Sequence, residues 1–221
     1  MRIAGSLWSV PAAAQVHALS TAIDDGLTVA HWDATDGVFA AAGGFTPESA
    51  SRLLRQVPPV ESEAHLMMHD VLPQIPQWAR FCSTIVVPIE IAQAAAAVEL
   101  IASLGVQPAV AISLPTDLDR LPADVPALLM SVTPGQAGSP FHNGVVGRVA
   151  KLHAADHSRL LGVDGGISPA QFAGLAGAGA RWIVSGTSLF SAPAISAWIA
   201  ECLQAFRSEE RRVGKECRSR W

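Results

Sequence analysis

Residues 29–39 read VAHWDATDGVF. The segment begins as a buried strand and then runs into His31, Asp33 and Asp36. Alternate side chains of a strand share a face, so His31 and Asp33 point the same way. Charge at the buried end of a strand is costly unless it is paired or bound to a metal. Strands ending in polar groups are a feature of parallel barrels, whose functional residues sit at the C-terminal ends of the strands.

The same pattern recurs along the chain. Short apolar runs RIAGSL, LTVAHW, VESEAHLM, STIVVPI, QPAVAIS, ALLMSV, RLLGVD and RWIVSG read as strands. Between them lie helical patterns over 11–25, 47–56, 71–79, 91–104, 144–155, 169–178 and 192–206, with a short one near 117–121. Gly26, Gly105 and Gly179 follow three of these helices, where a residue able to take positive φ favours termination. Ser168 and Pro169 read as an N-cap followed by a first-turn proline. Eight strand–helix units predict a single (β/α)8 TIM barrel over residues 1–206, and an open doubly wound sheet is the alternative.

Of the 221 residues, 50% are apolar and 15% charged, which suits a large core and excludes disorder. No apolar run reaches the ~18–20 residues of a membrane helix. The N-terminus lacks the pattern of a signal peptide, so a cytoplasmic location is expected. Three cysteines without metal spacing exclude a disulfide framework. Residues 1–206 are acidic and carry no basic stripe for nucleic acid. The segment 207–221, RSEERRVGKECRSRW, is basic and aperiodic. It resembles the translation of a short-read sequencing adapter, and it is expected to be a non-native, disordered tail.

Ser9, His31, Asp33, His65, Glu90, Ser131 and Asp164 end or follow apolar runs and would meet at one barrel end. His and carboxylate together suit one divalent ion such as Zn, Mn, Fe or Co. TPGQAGSPF (133–141), DGG (164–166) and SGTS (185–188) fall after the sixth, seventh and eighth strands, the sector where barrels bind phosphate. Lys151 lies mid-helix and Lys215 in the tail, so a Schiff-base mechanism lacks its nucleophile. Cys82 and Cys202 read as packing residues. Trp8 and Trp32 adjoin the site and are expected to shape its wall, whereas His69 and Asp36 read as turn residues.

These motifs resemble the ribulose-phosphate 3-epimerases. AGSLWS, HWDATDGVF, AHLM, LLMSVTPGQAGSPF, GVDGGISP and GARWIVSGTSLF occur in the family's order over residues 1–190. The resemblance implies a ribulose-phosphate-binding barrel of the pentose phosphate pathway. Its metal would be held by His31, Asp33, His65 and Asp164, and the substrate contacted by Ser9 and His65. Met67 and Met130 would line the site, with Gly135, Gly138, Gly165, Gly166, Gly186 and Thr187 in the phosphate-binding segments. Asp33 and Asp164 would exchange the C3 proton of D-ribulose 5-phosphate from opposite faces, giving D-xylulose 5-phosphate through an enediolate stabilised by the ion. The expected partner is a small phosphorylated ketose, not nucleic acid or membrane, and a homo-oligomer is compatible with the sequence.

Several positions depart from the family pattern. Thr35 stands where another site methionine is usual, and Pro88 where a histidine is common. AISLPT, AAAGGFTPE and GQAGSPF also differ, so a related ketose phosphate such as allulose 6-phosphate stays open as the substrate. Two other readings also stand. A decarboxylase or synthase of the same barrel type would need a DxKxxD lysine, which DATDG lacks. A non-catalytic phosphosugar-binding barrel would keep the site without turnover.

Overall fold

A computed structural model of the chain describes residues 1–136 and 138–218, with side chains described as far as Glu209. Strands β1 (Arg2–Ser6), β2 (Val29–Thr35), β3 (Glu61–Met67) and β4 (Thr84–Pro88) form the first half of the sheet. The second half consists of β5 (Gln107–Ile112), β6 (Ala127–Met130), β7 (Leu161–Asp164) and β8 (Trp182–Ser185). Every neighbouring pair is parallel, and β1 also pairs with β8, so the sheet closes in sequence order. That closing ladder, with Arg2 opposite Trp182 and Gly5 opposite Ser185, excludes the open sheet.

Helices α1 (Gln15–Asp24), α2 (Pro47–Leu54), α3 (Ile75–Trp78), α4 (Ala94–Ser103), α5 (Gly144–Ala155) and α6 (Pro169–Ala178) lie on the connections. Helices α7 (Thr187–Phe190) and α8 (Ile195–Arg218) follow the last strand. The helix expected over 71–79 shrinks to α3, because Pro73 and Pro76 cannot supply interior N–H groups. Near residue 118 only a 3-10 turn forms, Leu118–Arg120, started by the Asp117 carboxylate accepting from the Asp119 N–H. Helix α7, which begins within SGTS and lies outside the helical patterns expected from the sequence, is a single short turn at the barrel mouth. Helix α8 continues beyond Phe206 into the segment expected to be a tail. Glu, Arg and Lys there have good helix propensity, and extending an existing helix is cheap. Residues 219–221 lie outside those described.

Strand alternation sorts the core into two buried clusters. The outer one, between sheet and helices, includes Trp32, Leu66, Ile85, Val110, Leu129 and Ile183. The inner one, inside the barrel, holds Ala4, Val29, Val86, Ala109, Leu128 and Trp182. Trp182 fits inside because Gly162 faces it from β7. A Cβ on Gly162 would come within 2.5 Å of Cε3 of that indole and 2.9 Å of the Leu128 side chain. Gly162→Ala is therefore expected to overpack the inner layer and lower unfolding free energy by roughly 1–3 kcal/mol. Denaturant titration checks this, and unchanged stability would show that the indole can move.

Candidate active site and metal centre

Strand β2 points His31 and Asp33 into the barrel. Register then places His65 of β3 directly opposite Asp33, and Asp164 ends β7 opposite Met130 of β6. One donor atom from each of His31, Asp33, His65 and Asp164 lies within 4.8 Å of the other three. His31 Nε2 is 3.3 Å from Asp33 Oδ1. His65 Nδ1 is 3.6 Å from both Asp33 Oδ1 and Asp164 Oδ2. The two ring nitrogens are buried and make no hydrogen bond. Leaving a buried polar group unpaired costs about 1–3 kcal/mol. Two imidazole nitrogens and two carboxylates converging on one point are a donor set for a divalent ion.

The electrostatics point the same way. Burial opposes a charged His31, but the negative charges of Asp33 and of Glu63, the latter hydrogen-bonded to Nδ1, outweigh it, so its pKa stands well above the usual value. His65 moves up too, its burial outweighed by Asp164 and Asp33. Burial would raise Asp33, yet His31 and His65 hold its carboxyl well below the ordinary carboxylate range. The site thus favours positive charge between its carboxylates, whether on protons or on a cation that displaces them.

Two supporting residues escaped the sequence reading. Ser6 Oγ donates to Asp33 Oδ2 at 2.6 Å. Glu63 Oε1 lies 2.7 Å from His31 Nδ1. Both sit beside His31 in the sheet register, Ser6 on β1 and Glu63 on β3. Their signal was the period of two: Ser6 shares a face with Ala4, and Glu63 shares one with His65.

Above the cluster opens a cavity of about 280 Å³. Asp33 and Asp164 form part of its floor, and Met67 and Met130 supply apolar wall. Gly135, Gly138, Gly165, Gly166, Gly186 and Thr187 all line it, and Ser9 stands exposed at its rim. His31 and His65 lie beneath the lining. Gly165 and Gly166 have φ of +106° and +61°. A Cβ on Gly166 would sit 2.5 Å from the Phe141 nitrogen, so only glycine lets these two loops touch. No lysine or arginine lines the cavity among the described residues.

Other expected residues take different places. Trp8 lines the cavity, but Trp32 faces outward against Phe45 with ring centroids 5.0 Å apart, because it alternates with His31 and Asp33. Glu90 and Ser131 brace loops: Glu90 Oε1 accepts from Ser113 N and Thr116 Oγ1, and Ser131 Oγ donates to the carbonyl of Gly165. Burial pushes the thiols of Cys82 and Cys202 up to about 12, in keeping with packing roles.

Against this geometry, the family comparison is decisive. The model of the ribulose-phosphate 3 epimerase family matches residues 2–190. The chain belongs to this family. The family is one of carbohydrate epimerases, and hence of isomerases. A ribulose-phosphate 3-epimerase of Eremothecium gossypii is 38% identical over 99 residues, an alignment that spans 43% of this chain and 41% of that relative. Among solved structures, 3-hexulose-6-phosphate synthase from Salmonella typhimurium superposes with TM-score 0.73 at 14% identity, covering 95% of this chain and 100% of the other. KGPDC from Streptococcus mutans gives a TM-score of 0.66 at 17% identity, covering 95% of this chain and 97% of the other. Both likenesses concern the barrel fold.

In this epimerase-family chain the loop after β2 folds back on the site. Gly44, with φ of +76°, lies so close that a Cβ would meet the Asp33 carbonyl oxygen at 2.1 Å. Phe45 N donates to that same oxygen at 2.8 Å. Thr35 does not line the cavity; its Oγ1 lies 2.9 Å from the Ala41 carbonyl and 3.0 Å from that of Gly43. Asp36 anchors the turn, accepting from Val38 N, Phe39 N and His69 N at 2.7–2.9 Å. Its slight burial would raise its pKa, but these backbone hydrogen bonds hold it below the ordinary value. A depressed folded-state pKa stabilises the protein above the unfolded value of about 4 and is lost as pH falls through the folded one. Asp36→Asn should therefore melt earlier than wild type at neutral pH, with the gap closing as pH drops below about 4. Melting curves across that range check it, and a gap independent of pH would contradict it.

Proposed function

We propose that the chain is a metal-dependent ketose-phosphate 3-epimerase, acting on D-ribulose 5-phosphate to give D-xylulose 5-phosphate by two-base proton transfer. The observation that carries this reading is the pair Asp33 and Asp164. Both carboxylates line the same cavity, both belong to the His31–His65 cluster, and they come from well-separated strands, β2 and β7. A divalent ion held by His31, Asp33, His65 and Asp164 would supply electrostatic stabilisation of negative charge on the substrate's oxygens.

The remaining chemistry is done by side chains. One of Asp33 and Asp164 removes the C3 proton, and the other delivers a proton to the opposite face, with the roles reversed in the back reaction. The Ser6 hydroxyl holds Asp33 Oδ2, which leaves Oδ1 turned toward His31 and His65. Met67 and Met130 offer apolar wall that limits water around the reacting carbon. The phosphate fits the glycine sector formed by Gly135, Gly138, Gly165, Gly166, Gly186 and Thr187. With no basic side chain among the described residues of that sector, backbone N–H groups would bind it.

A second substrate reading keeps one observation in its favour. Gln136 and Ser139, from the divergent GQAGSPF stretch, line the cavity, so a six-carbon ketose phosphate such as allulose 6-phosphate is the alternative. A cytoplasmic site of action belongs to the same proposal; among the described residues no helix is long and apolar enough to cross a membrane. The test is C3 proton exchange with solvent D2O, run on metal-loaded protein with ketopentose and ketohexose phosphates. Wild type should exchange, and Asp33→Asn or Asp164→Asn should each lose about 10²–10⁴-fold. No exchange by wild type with any of these sugars would favour a binding protein, and full activity in either variant would remove the two-base assignment.

A further inference from the structure

We propose that Glu63 is a positioning residue for the metal ligand His31, fixing the proton on Nδ1 so that Nε2 presents its lone pair to the ion. This rests on the reading of His31, Asp33, His65 and Asp164 as a divalent-cation site.

Glu63 is a fully buried carboxylate inside the barrel, in a layer otherwise built from residues such as Ala4, Val29, Val86 and Leu128. Both its oxygens are engaged. Oε2 accepts from Arg2 Nε at 2.7 Å, and Oε1 accepts from the indole N–H of Trp182 at 3.1 Å. Guanidinium and indole nitrogens only donate, so Glu63 acts as an acceptor toward both. His31 Nδ1 then meets Oε1 at 2.7 Å as a third donor.

A neutral imidazole carrying its hydrogen on Nδ1 has a free lone pair on Nε2. Nε2 is the buried nitrogen that lacks a hydrogen-bond partner and lies 3.3 Å from Asp33 Oδ1. The carboxylate thus selects the tautomer that a metal ligand needs, aims the ring, and increases its donor strength.

Arg2 makes the arrangement tenable. A buried carboxylate is costly unless paired. Arg2 reaches across the barrel floor from β1 to β3 to pair with Glu63, and it also binds Glu61 at 2.6 Å. An ion pair serving stability alone would need only Arg2 and Glu63. The second oxygen, turned to His31 and braced by Trp182, is the part that stability leaves unexplained.

Cobalt(II) binding to metal-free full-length protein, read by visible absorption and by competition with a chelator, tests this. Wild type should bind one cobalt ion. Glu63→Gln, which keeps the shape and removes the charge, should weaken cobalt binding by about 10–100-fold and alter the absorption bands. Equal affinity and an unchanged spectrum would overturn the proposal, even if the metal-free variant melted earlier, because that pattern marks a purely structural ion pair. Failure of wild type to bind cobalt would instead overturn the cation site itself. Should Glu63→Gln not fold, long-range 1H–15N correlation of His31 in the zinc-loaded wild type decides the matter. A proton on Nδ1 with zinc on Nε2 is expected, and a proton on Nε2 or none on Nδ1 would contradict the assignment.

Discussion

Two imidazole nitrogens, Nε2 of His31 and Nδ1 of His65, are buried without hydrogen-bond partners beside the carboxylates of Asp33 and Asp164, and the organisation of the barrel mouth depends on that convergence. Four such groups at the buried ends of three strands would destabilise a core if they served packing alone. Here the β2 pair has support away from the shared point: Ser6 on Asp33, Glu63 on His31, and the returning loop at Gly44 and Phe45 on the Asp33 backbone. The supports orient the donors, and the donors define where a cation would sit.

The barrel supplies the geometry for this at modest cost. Parallel register places His31 beside Glu63 and Asp33 beside His65, so neighbouring strands deliver support and ligand in successive layers. Small residues make the room. Gly162 admits the Trp182 indole, which in turn donates to Glu63. Gly165 and Gly166 let the loops after β6 and β7 close into one wall. Arg2 pairs with Glu63 from below, His31 stands level with Glu63, and Asp33 and Asp164 meet the cavity above.

Much of this was legible in the residues. The eight apolar runs fall on the eight strands because each carries its pattern locally, and His31, Asp33, His65 and Asp164 stood out as polar groups ending such runs. What was not legible depends on pairing across strands. Glu63 looks like an ordinary mid-strand acid until the register sets it against His31. Trp32 looked like site wall, but alternation turns it to the outer core against Phe45. Thr35 reads from the sequence as a change in the site wall, yet its hydroxyl lies against the carbonyls of Ala41 and Gly43, a contact made by the loop's return and not by local sequence. Helix α7 is too short for periodicity to reveal.

The most direct test of the central claim is the position of a bound ion. A crystal of the protein loaded with zinc or cobalt should show one anomalous peak between His31 Nε2, His65 Nδ1 and the carboxylates of Asp33 and Asp164, at bond lengths of about 2.0–2.2 Å. Density at saturating metal that is absent from this point, or that lies elsewhere in the barrel, would contradict the account.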